Sequence, residues 1–321
     1  MEKAFHDLLE IIRDEDRPFP FERLAELSDL DKHHTAQLHE MWPHFPETRK
    51  RILLATLGQQ AFEHIELTFE PINRLALFDS DAEVRSIAIQ NLWECEDPTL
   101  AKPLLNALNE DGEAHVRAVA ATALGLFVWL GEIEELPADL LRLIEEGLLR
   151  AAVQDEASEV RRRSLESLGF SSRSEVPRLI ENAYQTEEES SKQSALFAMG
   201  RSASDLWKPH VLAELFHASP KIRLEAARAA GELEINEAIE NLIDLLQDID
   251  EGVRDTAIWA LAELGGEDAK EALVDILRTA EDEAFLTYVS EALDHMAFID
   301  GTRDLLMFDF DEFEDPEEHL H

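Results

Sequence analysis

The chain has 321 residues, 45% of them hydrophobic and 31% charged, apolar enough to fold and too polar for a membrane protein. Its 29 Lys and Arg face 70 Asp and Glu, a formal net charge of −41 that excludes a surface broadly built for nucleic acid. One cysteine, Cys95, excludes an internal disulfide and thiolate zinc sites, and fits a reducing, cytoplasmic setting.

Only 12 Gly, 12 Pro and 7% aromatic residues disfavour an all-β fold. The chain also exceeds the roughly 250–300 residues at which a single core stops growing, so two domains or an elongated repeat array is expected. The N-terminus is acidic and amphipathic, without the basic start and apolar run of a signal peptide. Helical segments are expected near 3–13 and 20–30, broken by Pro18 and Pro20, and a third over about 31–42. Residues 1–45 are therefore read as an N-terminal helical cap. The stretch DKHHTAQLHEMWPHF (31–45) is the one histidine cluster. His34, His39 and His44 are spaced by five, about 140° apart on a helix, which does not suit a chelate.

From residue 46 the sequence repeats. A Val-Arg pair or its equivalent recurs at Thr48-Arg49, Val84-Arg85, Val116-Arg117, Val160-Arg161, Ser191-Lys192, Ile222-Arg223, Val253-Arg254 and Ala284-Phe285. From 160 onward the interval is 31 residues four times over. Each copy reads as two helices, for example about 220–234 and 236–247. Small residues on the first helix (Ala226, Ala229, Ala230) allow close approach, and Leu and Ile on the second fill the space. Gly125, Gly169, Gly200 and Gly231 recur near the end of the first helix, where Gly suits a terminus. The interval between Val116 and Val160 is 44, so about 127–142 should hold longer helices or an extra turn, with Trp129 as a plausible anchor. A two-helix unit of this size cannot bury its apolar face alone, so copies must stack.

The pattern D-x-x-x-x-V-R-x-x-A-x-x-A-L-G resembles HEAT repeats, in the short bacterial form called phycobilisome-lyase-like, over about residues 46–299. The resemblance implies an all-α fold: a right-handed α-solenoid, or superhelix, of stacked antiparallel helix pairs. It implies that the Val-Arg helices line a concave side, and that repeats of this type mostly serve as protein-binding scaffolds. It also implies that Arg49, Arg85, Arg117, Arg161, Arg223 and Arg254 form a ladder with acids at the turns, Asp79, Asp155 and Asp248 among them.

Residues two and six after the Val position should point away from the buried stripe. The second of these columns places Phe197, Arg228 and Trp259 in one line, the aromatic–Arg–aromatic composition of a binding hot spot. Arg162, Arg163 and Glu166, with Lys50 and Arg51 further off, are expected on the same side. An acidic, aromatic-bearing peptide would suit them. The segment from 300 to 321 has that character, with Phe308, Phe310 and Phe313 among nine acids, so residues 308–314 are expected to dock there.

No phosphate-binding loop, dinucleotide fingerprint or nucleophile elbow is present. No catalytic, cofactor or metal residue is assigned. Deoxyhypusine hydroxylases share the fold and bind iron through repeated His-Glu pairs; only His39-Glu40 occurs here. The expected function is thus a non-enzymatic scaffold binding a protein or peptide segment, with neither nucleic acid nor membrane as partner. The alternative is a phycobilin-lyase-like accessory or another small-molecule-binding HEAT protein.

Overall fold

The computed structural model describes residues 2–279 and 282–308, without the side chains of Glu2, Asp300 and 302–308. Among the described residues every regular element is helical. The chain divides into two compact units, Met1–Ser171 and Ser172–His321.

The first unit opens with α1 (Glu2–Arg13), a 3-10 segment (Phe21–Leu27) and α2 (Lys32–Met41). Asp31 starts α2 by accepting the His34 N–H at 2.8 Å, which satisfies one of the orphan donors of the first turn. Phe5, Leu8, Leu9, Ile12, Leu24, Leu27 and Leu38 form one buried cluster with Leu53, Leu54 and Leu57 of α3 (Glu47–Glu63). The N-terminal segment thus covers the apolar face that α3 would otherwise show to water. There follow α4 (Glu70–Ala76), α5 (Ala82–Asn91), α6 (Ala101–Glu110), α7 (Ala114–Glu132), α8 (Ala138–Gln154) and α9 (Ser158–Leu168). The Val-Arg helices α3, α5, α7 and α9 pack side by side, with α4, α6 and α8 behind them. The long interval between Val116 and Val160 is taken up by lengthening both helices of that copy, to 19 residues in α7 and 17 in α8. By length and composition α7 could cross a membrane, but more than half of its apolar stretch is buried within the protein.

The second unit holds α10 (Val176–Tyr184), α11 (Glu189–Arg201), α12 (Lys208–Glu214), α13 (Pro220–Glu232), α14 (Ile239–Leu245), α15 (Glu251–Leu264), α16 (Glu267–Thr279) and α17 (Glu283–Phe308). Here α11, α13, α15 and α17 are neighbours, and α10, α12, α14 and α16 back them. Val84, Val116, Val160, Ile222 and Val253 are all fully buried, so the repeated position is a core position in both units. Helix α17 continues past residue 300, through the start of the segment read as a tail.

A polar ladder runs beside each core. The Arg223 fork donates from Nε and Nη2 to Asp248, both at 2.7 Å, while Nη1 donates to the His217 and Ala218 carbonyls at 2.8 and 3.1 Å. Arg85 grips Asp111 in the same way at 2.7 and 2.8 Å, and Arg117 grips Asp155 at 2.8 and 2.9 Å. Each arginine therefore closes the carbonyls of its own incoming turn and holds the turn of the next copy. Each acid also accepts the N–H two residues on, as Asp248 does from Asp250 at 2.9 Å, and so shapes that turn.

Two expectations about charge are corrected. Asp79 is not a partner of the arginine column through its carboxylate. It accepts from Lys50 Nζ at 2.6 Å and Trp42 Nε1 at 2.7 Å, and only its backbone carbonyl takes Arg85, at 2.8 Å. Lys50, expected on an outward face, is buried in that pair, and Arg51 is bound to Asp81. The ladder also breaks at α11. Lys192 stands there in place of arginine and His217 in place of aspartate, and Lys192 Nζ reaches Glu214 at 3.1 Å instead. His217 Nδ1 still accepts the Ser219 N–H at 3.0 Å, so the turn survives without the carboxylate.

The recurring glycines do not end helices by left-handed backbone. A Cβ on Gly200 would lie 3.1 Å from Ala229 Cα, and one on Gly231 would lie 3.1 Å from Ala260 Cα. Gly200 and Gly231 sit where neighbouring helices cross, and their role is to let backbones approach, whereas Gly169 does cap the end of α9, with right-handed backbone. Positive φ just after the first helix falls instead on Glu134, Ala203 and Glu234, and after α15 on Gly265.

Candidate protein-binding site

In the second unit the closeness of α11, α13 and α15 decides where the larger side chains lie. Small residues at the crossings bring the helices together, so a long side chain leans onto the preceding helix. Arg228 of α13 lies over the Phe197 ring of α11, with Cζ 3.8 Å from the centroid. Trp259 of α15 lies against Gly231 of α13, where an added Cβ would come within 2.8 Å of the indole. The structure thus brings Phe197 and Arg228 into contact and sets Trp259 one helix further along. All three are half-buried, more so than the sequence pattern implied.

The row has a fourth member that sequence reasoning missed. Arg201 lies over Phe197 with Cζ 4.1 Å from the centroid, so the ring faces two guanidinium groups. The signal was available, since Arg201 follows Phe197 by four residues and so lies on the same helix face. Arg228 is held in turn by Glu225 at 2.9 Å and by Glu232, each on its own helix. The cations of the row are matched by these acids, so an excess of positive charge, the reason for expecting an acidic peptide, is absent here.

The other residues assigned from sequence lie in the first unit, on α9. Glu166 is buried and accepts from Arg163 Nη1 at 2.9 Å, so its carboxylate is not offered outward. Arg162 is half-buried, with Nε enclosed and without a hydrogen-bond partner. The outward column fails more generally in this unit. Leu54, Ser86 and Ala118 are buried, because adjacent Val-Arg helices cover the flanks of one another as well as their inner stripe. The expected docking of residues 308–314 lies outside the described residues, apart from the backbone of Phe308.

Among the described residues, no group of three or more His, Cys, Asp or Glu is placed to hold a metal ion. The second unit does contain a compact polar cluster. The Tyr184 hydroxyl donates to Glu214 Oε1 at 2.6 Å, Lys192 Nζ lies 4.8 Å over the Tyr184 ring, and His210 meets Tyr184 and Trp207 edge-on. Burial pushes the Tyr184 hydroxyl pKa well up, and the Glu214 carboxylate adds to that, so it stays a donor. With Glu214 and Trp207 buried and Tyr184, Lys192 and His210 half-buried around them, this cluster fills the gap in the ladder.

Sequence reasoning also missed an apolar group in the first unit. Phe62, Ile65 and Trp93 are 84%, 97% and 62% exposed. Phe62 and Ile65 lie at and beyond the end of α3, and Trp93 just after α5.

A family model described as HEAT repeats matches residues 72–147 and 209–293, together half of the chain. No curated protein matches the chain in a comparison of sequences. Among solved structures, YibA of E. coli is 18% identical over 86% of this chain and 95% of its own, with a TM-score of 0.44. The complex of CpcE and CpcF of phycocyanin lyase from Nostoc sp. is 19% identical over 72% and 95%, with a TM-score of 0.49. Human deoxyhypusine hydroxylase is 18% identical over 92% and 97%, with a TM-score of 0.37. None of these likenesses carries a ligand or an activity to this chain.

Proposed function

The chain belongs to the HEAT-repeat family, and from that premise we propose that it is a non-catalytic scaffold whose second unit binds a protein segment along Phe197, Arg228 and Trp259. The observation that carries this reading is the Phe197 ring with guanidinium groups 3.8 and 4.1 Å from its centroid. Glu225 and Glu232 hold Arg228 in place before any partner arrives. A fixed, half-exposed aromatic and cationic surface loses little side-chain entropy on binding, which is what makes such residues interface anchors. Because the acids match the cations, the partner is selected by shape and aromatic contact more than by net charge.

The test is affinity capture from the source cell with the native chain and with the Phe197→Ala, Arg228→Ala, Trp259→Ala triple variant. The variant should keep its helical circular dichroism and lose the partner that the native chain retains. Recovery of the same partner in equal amount by a folded variant refutes the row as the site.

A further inference from the structure

In the first unit a groove of about 950 Å³ opens between the end of α3, the start of α4 and the turn after α5. Its apolar wall includes Phe62, Ile65, Leu67, Phe69, Leu92 and Trp93. Three of these six are largely exposed, a concentration of apolar surface that folded chains rarely leave open without use. The charged residues lining the groove are Glu70, Glu94, Glu96 and Asp97, and none is Lys, Arg or His. Arg74, behind the groove, pairs with Glu70 at 2.5 Å and Asp97 at 2.6 Å. Glu94 and Glu96 are exposed.

We propose that this groove is a docking site for a cationic amphipathic helix of another protein, distinct from the Phe197 row and independent of it. One or two large apolar side chains of that helix enter between Phe62, Ile65 and Trp93, and flanking Lys or Arg meet Glu94 and Glu96. The volume suits side chains projecting from one helix face at i, i+3 or i+4. Charge selects the occupant. The chain's own last segment carries nine acids between Asp300 and Glu318 and is repelled by this rim. A second copy at −41 meets the same repulsion.

The experiment titrates the full chain into a fluorescein-labelled Lys/Leu amphipathic peptide of about 18 residues, read by anisotropy. A Glu/Leu peptide with the same apolar face is the comparison. A chain this acidic attracts any cation weakly, so the location of binding is what decides. The Phe62→Ser/Trp93→Ser variant should weaken binding of the cationic peptide by at least about tenfold. Glu94→Gln/Glu96→Gln should weaken it about threefold, with a shallower salt dependence. Ile249→Ser, at a side chain 95% exposed in the other unit, should change nothing. Hydrogen exchange should slow over residues 57–97 when the peptide is added. Equal affinity of the Phe62→Ser/Trp93→Ser variant and the native chain overturns the proposal. So does an equal loss in Ile249→Ser, or equal binding of the acidic peptide. The Phe197 row can fail its own test without affecting any of these readings.

Discussion

Arg223 and Asp248 meet as a bidentate pair at 2.7 Å on both arms, with the two side chains only 13% and 8% exposed. The pair joins the start of α13 to the turn that leads into α15. Its enclosure sets it apart from an exposed pair, which contributes about 0–1 kcal/mol. Removing one partner leaves a mostly buried charge whose hydrogen bonds are lost. We expect Arg223→Ala to cost about 2–4 kcal/mol in urea unfolding. A double-mutant cycle with Asp248→Ala should show coupling, because the double variant leaves no stranded charge. Additive single losses would show that the two side chains act separately.

Acid should loosen the ladder. The hydrogen bonds from Arg223 hold the Asp248 carboxyl below its ordinary value. For Asp111 and Asp155, burial alone would push the carboxyl up, but the arginine forks outweigh it and the result is again a depression. A carboxyl with a depressed folded pKa adds stability that is complete above the unfolded value of about 3.9. That stability is lost as pH falls through the folded value. Thermal melts should therefore show a steep fall in Tm below about pH 4, made shallower by Asp248→Asn.

The glycine positions separate two kinds of backbone demand. Gly231→Ala drives a methyl toward Trp259 and Ala260 Cα, and should destabilise by about 1–3 kcal/mol while shifting Trp259 fluorescence. Glu234, at φ 50°, holds left-handed backbone that glycine adopts without strain. Glu234→Gly should be neutral or stabilising by up to about 1 kcal/mol in the same urea titration.

Tyr184→Phe removes one of the two groups that hold the Glu214 carboxylate. Burial pushes that carboxyl up, and the Tyr184 and Lys192 hydrogen bonds more than reverse this, leaving it depressed. Losing a hydrogen bond to a charged group should cost about 1.5–3 kcal/mol at pH 7. The cost should shrink as pH falls below about 4, where Glu214 takes up a proton in both proteins. Tm measured for both chains at pH 7 and at about pH 3 checks this.

Much of the ladder was legible before any coordinates. An acid six residues before the arginine recurs as Asp79, Asp111, Asp155 and Asp248, a period that picks out Asp111 as readily as the others. Asp79 was misjudged because Lys50 and Trp42 reach it only through packing of α3 and the preceding turn. The Phe197 row was readable as a register. Its half-burial was not, since that depends on how closely glycine and alanine let α11, α13 and α15 approach.

The sequence by itself determined that helical pairs of fixed period shield one another's apolar faces, because periodicity in residue type is periodicity in which side of a helix avoids water. Of the six arginines expected in the ladder, Arg85, Arg117 and Arg223 grip acids, whereas Arg49 donates to the Asp14 and Arg17 carbonyls, and Arg161 and Arg254 to the carbonyls of their own turns. Tertiary structure alone decided which outward positions remain open. Leu54 and Glu166 are closed while Phe62, Ile65 and Trp93 stand in solvent. Exposure of a flank or a loop is set by the distance to the next helix and the path of the intervening turn, and neither is encoded in the type of the residue concerned.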